Sequence, residues 1–204
     1  MAVFNESANV LPLAREVAAA LKQYPQGYEL VFVDDASTDD TWAKIQEAHR
    51  LDGRVRGLRH LRNQGQSAAL WTGFQATTSP LLATLDGDLQ NDPADLPKLL
   101  AALDQADLVA GIRAARQDTW VRKVSSKLAH AARKFFLKAD IKDMACATRV
   151  FKRTALQGLF SFNGLHRFMP LLMQSNGARM VQLPVNHRHR VAGVSKYGIH
   201  NRLW

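Results

Sequence analysis

At 204 residues, 47% of them hydrophobic, the chain is long enough to bury a sizeable core and reads as one compact domain, 1–204. The net charge of +9 allows a nucleic-acid partner, but no aromatic-basic interleaving and no recognisable nucleic-acid module supports one. A single cysteine, Cys146, excludes an intrachain disulfide, no apolar run approaches the roughly 18 residues of a membrane span, and no signal peptide opens the chain, so the expectation is a soluble cytoplasmic domain.

Taken in order, Val3–Phe4 looks like the end of a strand, and an amphipathic run follows from Val10 to Tyr24. "YELVFVDD" is an apolar strand ending in acids, and "STDDTWAKIQEAHR" is a helix whose Ser, Thr and Asp residues supply capping chemistry. "RVRGLRHL" predicts a strand, "QSAALWTGFQAT" a helix, "PLLATLD" a strand, "PADLPKLLAAL" a helix and "ADLVAGI" a strand. This β-α alternation with short connections predicts an α/β fold, a mostly parallel central sheet with helices on both faces. Ligands of such sheets bind beyond the carboxyl ends of the strands, where Asn5–Glu6, Asp34–Asp35 and Asp86–Asp88 all fall.

Each acidic cluster has a structural alternative. Asp34–Asp35 with Ser37, Thr38 and Asp39 is equally an Asx-rich turn capping a helix. Asp92 before Pro93 reads as an N-cap with proline at the first helical position. Asp86-Gly87-Asp88 is different, because two carboxylates one residue apart around a glycine can face one divalent cation, with Gln90 as a further oxygen ligand.

Charge divides the chain sharply. Residues 1–112 hold 9 Lys and Arg against 15 Asp and Glu, whereas residues 113–204 hold 18 against 3, giving balances of −6 and +15. An acidic, metal-competent half followed by a basic half suits a polyanionic ligand or an anionic membrane surface. From Trp120 to Phe136 an apolar helical stripe runs beside Arg122, Lys123, Lys127, Arg133 and Lys134, reading equally as a core-packing helix with a solvated basic face or as an interfacial helix on lipid. His187 and His189 have no Cys or carboxylate near them in sequence and give no metal site.

The blocks "VFNE", "ELVFVDDASTDDT", "NQGQSAALWTGF", "ATLDGDLQNDP" and "HRHRVAGVSKYG" together resemble glycosyltransferase family 2, most closely its polyprenyl-phosphate branch, the dolichol-phosphate mannosyltransferase-like enzymes. The resemblance implies a GT-A fold, a nucleotide-sugar donor, Mg²⁺ or Mn²⁺, and inversion at the anomeric carbon. It assigns Glu6, Asp34 and Asp35 to the donor's nucleoside, Asp86, Asp88 and Gln90 to the metal, Arg113 to the phosphates, Arg122 to the following helix on the acceptor side, and Arg190 and Lys196 to a loop closing over the donor. Asn63 and Gly65 match either a phosphate contact or a plain helix start. The family's first strand runs several residues before a proline, where this chain begins Met1-Ala2, so a truncated first strand is expected. Many relatives continue past the "SKYG" block into transmembrane helices; this sequence stops at Trp204.

A sugar hydroxyl acceptor needs a general base, whereas a lipid monophosphate is ionised at neutral pH and needs only cations. Asp143 in "KDMACATRVFKR" is the base candidate, or else a structural acid pairing with Arg149 or a neighbouring helix. Relatives show Gly-Phe where this chain has Ala147-Thr148. The expectation is sugar transfer to a polyprenyl phosphate at the cytoplasmic face of the membrane, with peripheral lipid contact, no nucleic acid and a homo-oligomer allowed. The alternatives are transfer to a saccharide hydroxyl and a non-catalytic nucleotide-sugar-binding module.

Overall fold

A computed structural model describes residues 1–113 and 141–189. The elements in chain order are β1 (Ala2–Val3), α1 (Ser7–Ala20), β2 (Leu30–Asp34), α2 (Thr41–Leu51), β3 (Val55–Arg59), α3 (Gln66–Gln75), β4 (Leu81–Thr84), α4 (Leu96–Ala101), β5 (Leu108–Arg113), β6 (Arg149–Lys152), α5 (Leu165–Ser175) and β7 (Met180–Val185). Every strand and helix expected up to Arg113 is present. α1 starts earlier and ends earlier than the Val10–Tyr24 run, because a turn from Leu21 to Gly27, with Gly27 at φ 69°, closes it. The "PADLPKLLAAL" helix is divided, α4 being flanked by 3₁₀ turns at Pro93–Asp95 and Ala102–Asp104.

The strands form a parallel set, β1-β2-β3, and a mixed set in the order β4-β6-β5-β7. β6 runs antiparallel between β4 and β5, a strand that the alternation did not predict. Pleating sends Leu30 and Phe32 of β2 to one face, with Val10, Leu13 and Val17 of α1, Ile45 of α2 and Leu99 of α4. Val31 and Val33 go to the other, against Ala69 of α3. On that same side as α3, Phe74, Phe151, Leu165, Met169 and Met173 form a further cluster, with Phe74 and Phe151 edge-to-face at 5.6 Å. The result is helices over both faces of strands that point their carboxyl ends at one edge.

β1 is only two residues long and pairs with β2 alone, so no ladder joins the two sets of strands between β1 and β4. A cavity of about 280 Å³ opens there, lined in part by Met1, Leu30, Val31, Leu81 and Leu82. The Met1 amino group donates to the Val31 carbonyl at 2.7 Å, and burial pulls its pKa down to about 5. Cys146 is buried beside Gly111, where an added Cβ would lie 2.9 Å from its Sγ, and burial pushes the thiol pKa up.

Candidate active site

Among the described residues three that are not glycine have left-handed backbone: Asn5 at φ 53°, Ala36 at φ 61° and Leu89 at φ 61°. One lies beyond β1, one beyond β2 and one beyond β4, each within two residues of an expected acidic cluster. Such strain persists only where its surroundings over-determine it. Here those surroundings are hydrogen bonds. Asn5 accepts from the Thr38 amide at 2.8 Å and donates its own amide to Ser37 Oγ at 2.9 Å, while the Glu6 amide donates to Thr41 Oγ1 at 2.8 Å. Glu6 is buried and accepts from Asn9 Nδ2 at 2.6 Å.

At the end of β2 the two acids serve the chain itself. Asp34, fully buried, accepts from the Ser37 amide at 2.9 Å and sits 3.2 Å from Arg59 Nε. Asp35 accepts from the amides of Gln64 (2.9 Å) and Gly65 (2.7 Å), and His60 Nδ1 lies 2.7 Å away. The far nitrogen of His60 meets Thr72 Oγ1 at 2.9 Å. Asp35 thereby pins the loop that leads into α3, where Gly65 sits at φ 88°. The amides of that loop point at Asp35, which favours the helix-start reading of Asn63 and Gly65.

The end of β4 is built otherwise. Gly87 packs so closely on β1 that an added Cβ would stand 2.6 Å from Val3 Cγ1, so only glycine lets the loop turn there. Asp86 accepts from Gln66 Nε2 at 2.9 Å, and its amide donates to Asn91 Oδ1 at 2.8 Å. Asp88, 8% exposed, accepts from the Gln90 amide at 3.1 Å. Burial, then the charge of Asp88, pushes the Asp86 carboxyl up to about 6. Two carboxylates one residue apart, with oxygen as their only donor atom, are the donor set that hard divalent cations take. Gln90 uses its amide nitrogen on the Arg188 carbonyl at 3.3 Å, leaving its Oε1 as the available atom. Among the described residues no three His, Cys, Asp or Glu side chains converge into a metal-binding group, so further ligands would come from neutral oxygens or a bound phosphate. Asp92 caps its turn, accepting from the Ala94 amide at 3.0 Å.

The segment after β7 is stitched onto this acidic loop. Asn91 and His187 form a bridge, and the Arg188 amide donates to the Gln90 carbonyl at 2.8 Å. Arg188 itself reaches Glu16 and Asp92, each at 2.7 Å. Distant in sequence from any acid, His187 thus comes within electrostatic range of Asp88 and Asp143. Burial and then Arg113 lower its pKa, Asp88 and Asp143 oppose the shift, and its buried Nδ1 has no hydrogen-bond partner.

Asp143 pairs with Arg113. Arg113 Nε and Nη2 donate to the two Asp143 oxygens at 2.8 and 2.9 Å, and the amides of Arg113 (3.3 Å) and Ala145 (3.2 Å) add two more bonds. Arg149 is buried, donating to the carbonyls of His166 (2.6 Å) and Met144 (2.8 Å), and burial pulls its pKa down to about 10. Ser67 Oγ accepts from the amides of Gly164 and His166 and must therefore donate its one proton to His166 Nδ1 at 2.7 Å. Burial, then Arg167 and Arg149, hold that imidazole down at about 4. Gln66, Ser67 and Asn91 lie within the quoted sequence blocks but carried no role there, and His166 lies outside them; Ser67 and His166 are 99 residues apart. Arg122, Arg190, Lys196 and the Trp120–Phe136 run lie outside the described residues.

The α/β fold thus carries acidic loops at the carboxyl ends of β1, β2 and β4, with a paired-carboxylate turn after β4. The chain belongs to glycosyl transferase family 2, whose signature matches residues 1–160. It is 36% identical over 199 residues to the undecaprenyl-phosphate 4-deoxy-4-formamido-L-arabinose transferase of Aeromonas hydrophila, covering 97% of this chain and 61% of that one. It is 35% identical over 203 residues to the dodecaprenyl-phosphate galacturonate synthase of Rhizobium johnstonii, covering 97% and 60%. Both relatives are of the polyprenyl-phosphate branch, and the chain spans about three fifths of their length. Glucosyl-3-phosphoglycerate synthase of Mycobacterium tuberculosis, solved with Mg²⁺ and uridine diphosphate, superposes with a TM-score of 0.71 at 19% identity, over 93% of this chain and 70% of that one. The fold is GT-A.

Proposed function

We propose that residues 1–204 act as one catalytic unit that transfers a sugar from a nucleotide-sugar donor to a polyprenyl phosphate, with inversion. The observation that carries this reading is the Arg113–Asp143 fork. The carboxylate that a hydroxyl acceptor would need as its base already accepts four hydrogen bonds among the described residues, two of them from a guanidinium, a setting that makes it a poor proton acceptor. A phosphate acceptor arrives ionised and asks only to be positioned. The two relatives, both polyprenyl-phosphate enzymes by name, point the same way.

In this reading Glu6 and the Asp34–Asp35 turn shape the nucleoside end of the site, Asp35 mainly by holding the loop before α3. Asp86 and Asp88, with Gln90 Oε1 as a further donor, would hold Mg²⁺ or Mn²⁺, which when bound neutralises the departing nucleoside diphosphate. Gln66 orients Asp86, and Arg113, fixed by Asp143, presents positive charge beside the loop. Arg122, Arg190 and Lys196 retain the acceptor and donor-loop roles that the resemblance gives them. The acceptor implies work at the cytoplasmic membrane face; among the described residues no helix is long and apolar enough to cross a membrane.

The test is single-turnover transfer to a short polyprenyl phosphate, against oligosaccharide acceptors, with the Asp143→Asn variant at saturating donor. The expected loss is a few fold. A loss of about 10²–10⁴-fold would mark Asp143 as a general base and move the acceptor to a hydroxyl. Failure of the wild type to transfer to either acceptor, with retained nucleotide-sugar binding, would leave the binding-module reading.

A further inference from the structure

Resting on the polyprenyl-phosphate reading, we infer that the loop and first turn of α5, from Leu159 to Phe168, form a docking surface for an anionic lipid bilayer. Four large apolar side chains are notably exposed among the described residues, and two of them, Phe160 at 69% and Phe168 at 44%, belong to this stretch. The Phe160 ring leans on Phe162 at 5.7 Å rather than into the core. Left-handed glycines, Gly158 at φ 77° and Gly164 at φ 101°, bound the loop. It starts beside the end of α5, where Asn176 Nδ2 donates to the Gln157 carbonyl, and rises to the start of α5, where the Gly164 amide donates to Ser67 Oγ.

Ser67 follows Gln66, whose amide holds Asp86, so the start of α5, with Phe168, lies on the side of the paired-carboxylate turn. Phe168 lies against Gly164 itself, 3.7 Å from where a Cβ would stand. The proposed acceptor keeps its prenyl chain in the bilayer, so its phosphate can reach that edge only if the neighbouring protein surface rests on the headgroups.

Charge selects lipid over an apolar protein partner. From Met144 to Trp204 the sequence contains nine Lys and Arg and no Asp or Glu, so the segment carrying the rings brings no acid of its own to an anionic surface. Arg167, exposed, sits between His166 and Phe168. Aromatic rings beside basic residues are the composition of interfacial membrane contacts.

The experiment is sedimentation of the full chain with phosphatidylcholine–phosphatidylglycerol vesicles, for the wild type, Phe160→Ser/Phe168→Ser, Phe160→Leu/Phe168→Leu and Leu51→Ser. Leu51, 67% exposed at the end of α2, is the control at the opposite strand ends. The expected result is a loss of about tenfold in vesicle affinity for the Ser pair, near-complete retention for the Leu pair and no change for Leu51→Ser. Transfer to a short, water-soluble polyprenyl phosphate without vesicles should be unchanged in all three variants. A Ser pair with wild-type vesicle affinity would overturn the docking surface, and so would a wild type that ignores vesicles. If the Ser pair instead dissolves a dimer while leaving vesicle affinity intact, the rings meet a second copy of the chain and the inference fails. Loss of transfer to the short acceptor by the wild type sinks the polyprenyl-phosphate reading alone, because vesicle affinity is measured without it.

Discussion

The ends of β2 and β4 each carry two buried or half-buried acids, yet they solve opposite problems. At β2, Asp35 receives two backbone amides and lies against an imidazole, all within 2.9 Å, and Asp34 receives an amide and an arginine. At β4, Asp86 has one side-chain amide from Gln66 and faces the charge of Asp88. The first pair spends its charge on holding a loop; the second, in the proposed reading, keeps charge in reserve for a ligand. Residue type is the same in both places, and what separates architecture from chemistry is the number of donors that the rest of the fold delivers.

The largest effect that would break this comparison is on turnover. Asp88→Asn should lower transfer by about 10³-fold without lowering the unfolding temperature, since it removes repulsion from the free protein. Wild-type turnover that persists in excess EDTA would falsify the metal assignment, and a clear fall in the melting temperature of Asp88→Asn would show that β4 is architectural too. Next, Asp35→Ala should cost about 3 kcal/mol in urea unfolding, because it leaves the Gln64 and Gly65 amides and His60 without their acceptor. A cost below about 1 kcal/mol would mean that the loop before α3 does not depend on it.

A smaller effect lies in the pH dependence. The Asp86 pKa is raised from 3.8 to about 6, so between those values the native state binds more protons than the unfolded one, and stability falls as pH rises. The penalty is absent below the lower value and complete above the upper one. In metal-free buffer the urea midpoint of the wild type should therefore decline across that window relative to Asp86→Asn, and saturating Mn²⁺ should flatten the difference. Parallel profiles for the two proteins would count against the proposed reserve of charge. Smallest of all, Ala36→Gly should stabilise by roughly 0.5–1 kcal/mol by relieving a left-handed alanine beyond β2. A destabilised variant would show that the turn gains more from the methyl group than it loses in strain.

Much of this was legible before any coordinates. The β-α alternation, the edge where the acids gather and the Asp86-Gly87-Asp88 turn follow from periodicity and local residue type. β6 was not, since "RVFK" is four residues long and pairs antiparallel with strands far away in sequence. The loop-holding role of Asp35 was hidden for the same reason: its donors lie 25 to 30 residues downstream. The Arg113–Asp143 fork spans 30 residues and the Ser67–His166 pair 99, distances over which no local pattern speaks. Nor does composition announce that an asparagine, an alanine and a leucine will take left-handed backbone.

Cys146 has a practical consequence. The chain's only thiol is 1% exposed, its pKa is pushed up, and it sits where even a methyl group on Gly111 would collide with it. Maleimide reagents, which react by thiolate attack on their double bond, will find it both shielded and protonated at neutral pH. A cysteine introduced at the surface should then take a fluorophore or spin label alone, with no need to remove the native one first.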